Sequence, residues 1–294
     1  RTAAIGSGLA LAGGSAYGIN IVFARICAQL GISGADIIAY RSLLFLPVLA
    51  GLALLAGKSL AVPANERPTL ARFAVFAAAT AIFYLTSLQY LPVALAVTIF
   101  YTYPLIVMLL TPFVDGLRLP TRRWLLAGVA FAGVVLAIGP AHATLDPRGV
   151  AFVALGSLCC AAMFMTGARL ETDSRVTFFW CQMVAAPAAY IFASLGPGLS
   201  PPPALIGAAI PIAITAASYF FGFLFQILAA PRISAATASL LFLLEPISAI
   251  AGAAVLLGEM LGPWQTLGIT LVVGALVADL WPHLRPTSPA LDPR

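Results

Sequence analysis

The sequence predicts an all-α integral membrane protein in which ten transmembrane helices form two inverted five-helix repeats. Three observations indicate this fold. Hydrophobic residues make up 62% of the 294 and charged residues only 9%, well below the roughly 25% charged residues of soluble domains. Ten apolar segments are each long enough to cross a bilayer, and the first five resemble the last five. A soluble chain this apolar could not cover its own surface with polar groups.

The predicted spans follow from the length of the apolar segments. A transmembrane helix needs about 20 mainly apolar residues, and charged residues or Pro/Gly turns mark its ends. An even number of spans places both termini on the same side of the membrane. The first segment has no small-residue cleavage site, so it is predicted to be a retained span rather than a signal peptide. The spans are 3–27, 35–56, 69–90, 93–113, 121–139, 148–168, 175–195, 204–228, 233–257 and 262–281.

The positions of the 15 Lys and Arg residues predict which side holds the termini. Only Arg25 and Arg148 lie on the opposite side, at the ends of their spans, and Arg41 falls inside the second span. Because Lys and Arg accumulate in cytoplasmic loops, we predict a bacterial inner-membrane protein with both termini in the cytoplasm. The net charge of +5 then reports topology and not a nucleic-acid partner. The residues on the side of the termini are Arg1, Lys58, Arg67, Arg72, Arg118, Arg122, Arg123, Arg169, Arg175, Arg232, Arg285 and Arg294.

The two halves of the chain resemble each other at an offset near 141 residues. The segment 90–110 aligns with 232–252, which superposes Ala96 on Ala238 and Pro104 on Pro246. Five spans per copy is an odd number, so the second copy must run through the membrane in the opposite direction. Inverted repeats place a substrate site near mid-membrane and alternate its access to the two sides. The predicted units are a first repeat over 1–141, a second over 142–285 and a cytoplasmic tail over 286–294.

These features resemble the EamA-type branch of the drug/metabolite transporter superfamily. The resemblance rests on the ten-span architecture, the repeated Ala and Pro pairs, and Gly258-Glu259 followed by Trp264 and Gly268. The first half departs from the pattern, with Asp115-Gly116 where a Gly-Glu pair is usual. The overall character is closest to the YddG-type exporters of aromatic amino acids. The resemblance implies export of small metabolites or drugs without ATP; no cofactor is predicted.

Polar and aromatic side chains inside the spans are the candidate substrate-binding residues, because such groups are costly in lipid and mark transport pathways. A central cavity with aromatic walls and a few hydrogen-bonding groups would suit a zwitterion with an apolar side chain, such as an amino acid or a related metabolite. The alternatives are that the aromatic residues form interfacial belts and that the polar residues join helices. The candidates are Asn20, Tyr84, Thr98, Tyr101, Trp180, Gln226 and Glu245, and Gln89 is a further polar residue of the third span.

Glu245 is an acid deep in a span, directly before Pro246, whereas the first repeat has Tyr103 before Pro104. A proline inside a helix removes one hydrogen bond and kinks the helix. We therefore predict hinges at Pro104 and Pro246. For Glu245 three roles remain open: a site for a substrate amine, a proton carrier, or an acid bonded to a carbonyl that the proline frees.

Arg41 lies about two helical turns inside the second span. An arginine there could hold a substrate carboxylate through two parallel hydrogen bonds. The favoured interpretation is structural: Arg41 extends to the interface or pairs with Asp36, five residues earlier.

The sequence offers little for catalysis or metal binding. His142 and His283 lie in separate loops, and the four cysteines form no C-x-x-C pair, so no metal site is predicted. An integral membrane enzyme and a channel are the rival functional classes, and the inverted repeat favours a carrier over both. Gly128 and Ala132, like Gly268, give small-residue faces that would pack helices within one chain or form a homodimer.

Overall fold

The computed structural model describes residues 2–32, 34–57, 59–87, 90–91, 93–138, 146–194, 199–200, 202–258 and 260–284. In these ranges all regular secondary structure is helical. Lys58, Gln89, His142, Glu259 and the predicted tail 286–294 lie outside the described residues. The helices are α1 (Thr2–Gln29), α2 (Gly34–Leu55), α3 (Arg67–Ser87), α4 (Val93–Phe100), α5 (Tyr103–Val114), α6 (Thr121–Ile138), α7 (Pro147–Gly167), α8 (Ser174–Ser194), α9 (Pro202–Gly207), α10 (Ala209–Ala229), α11 (Ala235–Leu241), α12 (Leu244–Leu257) and α13 (Pro263–Leu284).

These helices form the ten predicted spans, because α4 with α5 and α11 with α12 are the halves of two broken spans. The predicted boundaries agree with the helix ends to within three residues, except that the eighth span begins at Ala209, after the short α9. Within the described ranges, nine segments have both the length and the hydropathy of a membrane span. The tenth span is α3, which has 21 residues but is rich in alanine and carries Arg67 and Arg72 in its first two turns.

The two broken spans are interrupted at equivalent positions of the two repeats. Proline has no amide hydrogen, so Pro104 and Pro246 cannot donate to the carbonyls four residues earlier, which belong to Phe100 and Phe242. Each span stops just before its proline and restarts in a new helix. The Phe242 carbonyl instead accepts a hydrogen bond of 3.0 Å from the backbone amide of Glu245. The carbonyl that Pro246 leaves without its helical donor is thus served by the backbone.

Helices pack across the repeats more than within them. In the swapped arrangement, α1 lies along α10 and α12, and its counterpart α7 lies along α3, α4 and α5. Two helices pack on their own counterparts, α2 on α8 and α6 on α13. Ser42 Oγ donates to Gln182 Oε1 at 2.9 Å, and these residues occupy equivalent positions because they are 140 apart. The pseudo-two-fold axis therefore passes between α2 and α8.

Contacts between helix ends sort them onto two faces, as ten spans require. On the face of the termini, Arg169 contacts Asp115 at 2.8 Å and Arg123 contacts Asp279 at 3.4 Å. On the other face, the Arg148 guanidinium lies 4.7 Å from the centre of the Tyr90 ring. Arg148 also hydrogen-bonds the side chain of Asp146, which lowers the pKa of this carboxyl below its usual value.

Glycines allow the closest helix contacts. A Cβ atom at Gly18 of α1 would lie 2.4 Å from Ser248 Cβ of α12, and one at Gly268 of α13 would lie 2.5 Å from the Gly133 carbonyl oxygen of α6. Gly268 thus packs within the chain. A Cβ atom at Gly128 would meet nothing within 4 Å, so Gly128 takes no part in this packing.

We expect Gly18→Ala to lower the free energy of unfolding in detergent by about 1–3 kcal/mol, because the added methyl group must displace the backbone of α12. Gly128→Ala is the matched control: its methyl group has room, and alanine favours a helix over glycine by about 1 kcal/mol. Chemical denaturation followed by circular dichroism measures both. Equal stability of the two variants would contradict the close approach at Gly18.

Candidate substrate-binding site

The two helix breaks lie next to each other in the centre of the protein. Tyr101 is in the break between α4 and α5, and Glu245 is in the first turn of α12, after the break that follows α11. The Tyr101 side chain lies beside the Glu245 carboxyl group. Thr102, also in the first break, shares a hydrogen bond of 3.0 Å with Ser157 of α7. The breaks therefore present polar groups at a depth where lipid would offer none.

A continuous series of aromatic rings runs beside these breaks, and we call it the aromatic wall. It brings together residues of α1, α3, α4, α5, α7 and α10. Each ring contacts the next with centroids 4.8–5.9 Å apart, the range of favourable aromatic pairs. In order along the wall, the rings are Tyr219, Tyr17, Phe242, Phe164, Tyr103, Phe100 and Tyr84.

Three of the predicted site residues, Tyr84, Tyr101 and Glu245, lie together beside the aromatic wall. Gln226 joins them through Tyr17, whose hydroxyl donates to Gln226 Oε1 at 2.9 Å. Pro104 and Pro246 lie in the first turns of α5 and α12, directly after the two breaks. This placement agrees with hinges at the prolines, which remain a prediction.

The other predicted residues lie elsewhere. Asn20 Nδ2 donates to the Thr215 carbonyl of α10 at 2.7 Å, so its amide joins α1 to α10. Thr98 lies on α4 and is half-buried. Trp180 lies near the terminal face, where its indole nitrogen donates to the Leu60 carbonyl at 2.9 Å. The structure therefore does not bring Trp180 to the aromatic wall.

Arg41 has a different neighbour from the one predicted. Its guanidinium carbon lies 3.4 Å from the centre of the Tyr219 ring, a close cation–π contact. Asp36, the partner that the sequence suggested, accepts hydrogen bonds of 2.7 and 2.8 Å from the backbone and side chain of Ser200. The pairing with Asp36 is therefore wrong, and Arg41 lies at the Tyr219 end of the aromatic wall.

Several wall residues have no signal in the sequence that would have selected them. Phe100, Phe164 and Phe242 are three of 18 phenylalanines, and each lies in a run of apolar residues. A phenylalanine that faces lipid and one that faces a substrate path occupy the same kind of sequence. Phe100 and Phe242 differ from the other phenylalanines by lying four residues before the paired prolines. This position predicts the helix break but not a place in the aromatic wall.

Two cavities lie on either side of an aromatic pair. The outer cavity, of about 30 Å³, lies between α2, α3, α8 and α10 and includes Arg41, Gln182, Tyr219 and Phe223 in its lining. The inner cavity, of about 10 Å³, is nearer the terminal face and is lined by residues that include Phe73 and Gln226. The stacked rings of Phe73 and Phe223, 6.2 Å apart, separate the two spaces.

This combination of inverted repeats, central helix breaks and cavities on both sides defines a membrane transporter fold. Residues 4–139 and 147–278 each match the profile of the EamA-like transporter family. The chain therefore belongs to the EamA-like transporter family, within the drug/metabolite transporter superfamily, and the family match covers one copy in each half.

Solved structures show the same fold. One crystal structure, 18% identical in sequence, aligns over 96% of this chain and 99% of its own, with a TM-score of 0.80. At this identity the likeness concerns the fold alone. The search of curated proteins gave no match. These comparisons do not distinguish the YddG-type exporters from other branches of the family.

We expect Tyr17→Phe to lower the free energy of unfolding by about 1 kcal/mol, because it leaves the buried Gln226 amide oxygen without its donor. Tyr190→Phe is the matched control, since the described residues offer the Tyr190 hydroxyl no hydrogen-bond partner. Thermal unfolding of the purified variants in detergent measures the difference. A stability loss of the same size in both variants would show that the Tyr17–Gln226 bond does not join α1 to α10.

Proposed function

We propose that this transporter exports small metabolites without ATP, that amino acids, aromatic ones included, are its substrates, and that it works by alternating access. The observation that carries the proposal is the Glu245 carboxyl group, which lies beside Tyr101 and the aromatic wall. Membership in a transporter family favours a carrier over the rival class, an integral membrane enzyme.

The side chains around Glu245 suit an ammonium group attached to an apolar side chain. No Lys or Arg of the described ranges forms an ion pair with Glu245. A buried carboxylate without a counter-charge is costly, and an incoming ammonium group supplies one. The rings of Tyr84, Phe100 and Tyr103 attract a cation through their faces and pack against an aromatic side chain.

The packing supports alternating access. α3 lies along α8 over much of its length, whereas the equivalent pair, α10 and α2, touch over a much shorter stretch. Inverted repeats can exchange such unequal contacts, which closes one side of the membrane and opens the other. The larger cavity lies between the loosely packed pair and its neighbours, and the Phe73–Phe223 pair separates it from the inner one.

The location is part of the proposal. We place the chain in a bacterial inner membrane with both termini in the cytoplasm, because the predicted topology puts twelve of its 15 Lys and Arg residues in loops and span ends on that side. Efflux of drugs or of other metabolites uses the same architecture, and substrate screening separates these alternatives from amino-acid export.

The test is uptake of radiolabelled L-phenylalanine and other amino acids into liposomes that contain the purified chain. We expect saturable flux that substrate on the opposite side stimulates. Saturable flux of drugs, together with no flux of any amino acid, would favour the multidrug alternative. Chemical conversion of the substrate would indicate an enzyme, and ion current without saturation would indicate a channel.

We expect Glu245→Gln to raise the KM for L-phenylalanine roughly 10- to 100-fold, because it removes a charged partner worth about 1.5–3 kcal/mol. Glu66→Gln is the matched control, since Glu66 binds Thr172 at the terminal face and we expect its KM to equal that of the unchanged protein. An unaltered KM in Glu245→Gln would remove Glu245 from the site.

A further inference from the structure

Arg41 and Gln182 are two buried polar side chains, and each has a nitrogen donor without an acceptor. Arg41 is 9% exposed and Gln182 is 1% exposed. Gln182 uses its amide oxygen, which accepts from Ser42 at 2.9 Å. The Nε of Arg41 and the Nε2 of Gln182 are buried donors without an acceptor. Buried side-chain donors are hydrogen-bonded in the large majority of cases, so two in one place need an explanation.

The charge of Arg41 also lacks a partner. A buried cation is costly unless an anion lies beside it, and the guanidinium of Arg41 lies against the ring face of Tyr219. Asp36 turns to Ser200, and no acid among the described residues forms an ion pair with Arg41. The cation–π contact offsets part of the cost, but it leaves the Nε donor of the guanidinium without an acceptor.

Both unused donors border the outer cavity. Alanines form part of the remaining lining, among them Ala77 and Ala78 of α3 and Ala185 and Ala189 of α8. By its volume the cavity holds about two water molecules, which is comparable to the two oxygen atoms of a carboxylate group. Tyr219 stacks on Arg41 and its ring centre lies 5.8 Å from that of Tyr17, so the cavity borders the Tyr219 end of the aromatic wall.

We propose that Arg41 and Gln182 form a subsite for the carboxylate group of the transported molecule. The flat guanidinium of Arg41 provides parallel donors that match the two oxygens of a carboxylate, and Gln182 Nε2 provides a further donor. Tyr219 holds the guanidinium in place from one face. The inference rests on the proposed function and extends it, because it assigns the acidic group of the substrate to α2 and α8.

The first experiment compares L-phenylalanine with L-phenylalanine amide, which keeps the ammonium group but has no carboxylate. Competition for uptake into liposomes gives the preference for the acid over the amide. We expect the unchanged protein to prefer the acid roughly 10- to 100-fold, as for a charged hydrogen bond. In Arg41→Gln we expect the acid and the amide to compete about equally, with uptake of the amide retained.

Two further variants keep the test independent of folding. Arg41→Lys keeps the charge but has no parallel donors, so we expect an intermediate preference. Gln182→Glu keeps the acceptor for Ser42 and places a negative charge beside Arg41, so we expect selective loss of the acid. Arg148→Gln is the control, since Arg148 also lies over a tyrosine ring but has Asp146 as partner. The acid preference should be unchanged in this control.

Binding of 3-phenylpropionate to the purified full chain separates this inference from the proposed function, because the assay needs no transport. We expect 3-phenylpropionate, but not its amide, to stabilise the protein against thermal unfolding, and we expect Arg41→Gln to abolish this effect. That result would support the carboxylate subsite even if no amino acid is transported. If 3-phenylpropionate does not bind, or if the acid preference is the same in the unchanged protein, Arg41→Lys and Gln182→Glu, the inference is overturned.

Discussion

The structure depends on one constraint, which is that hydrocarbon offers no hydrogen-bond partner to a backbone group. Every helix break at membrane depth must therefore be satisfied within the protein. The breaks in the fourth and ninth spans meet this condition through tight local bonds, such as Leu105 to the Thr102 carbonyl and Glu245 to the Phe242 carbonyl, both 3.0 Å. They also lie in the centre, where α1 and α7 cover them. The position of the breaks thus decides which helices must surround the site.

The same constraint applies to polar side chains and shows which of them lack a hydrogen-bond partner. Threonines such as Thr80 and Thr111 donate to the carbonyl four residues earlier, and Asn20, Tyr17 and Gln226 bond to other helices. Asp279 has no hydrogen bond but has an ion pair with Arg123 at the terminal face. Arg41 and Gln182 differ from these residues, because their unused donors border a cavity in the interior. The simplest explanation for unpaired donors at this cavity is a ligand that binds there reversibly.

Much of the fold could be predicted from the sequence, because the length of apolar segments and the positions of Lys, Arg and proline report directly on the membrane. The ten spans and the equivalence of Pro104 and Pro246 follow from these signals. The site could be predicted only in part. Lipid and protein interior are both apolar, so hydrophobic periodicity does not tell which face of a span points inward. Tyr101 and Trp180 are similar by sequence, yet one contacts Glu245 and the other lies at the terminal face.

The charged residues of the candidate site break the symmetry of the repeats. Arg41 stands where the second repeat has Cys181, and Glu245 stands where the first repeat has Tyr103. Around them the duplication is retained: Ser42 bonds its counterpart Gln182 across the axis, and both spans break before the paired prolines. A symmetric site would bind a dipolar molecule equally well in two opposite orientations. With a cation on the first repeat and a carboxyl group on the second, the two orientations differ in energy, and motion of one repeat against the other changes the distance between the two charges. In the proposed function, the asymmetry therefore gives a dipolar substrate a direction that the duplicated backbone alone cannot supply.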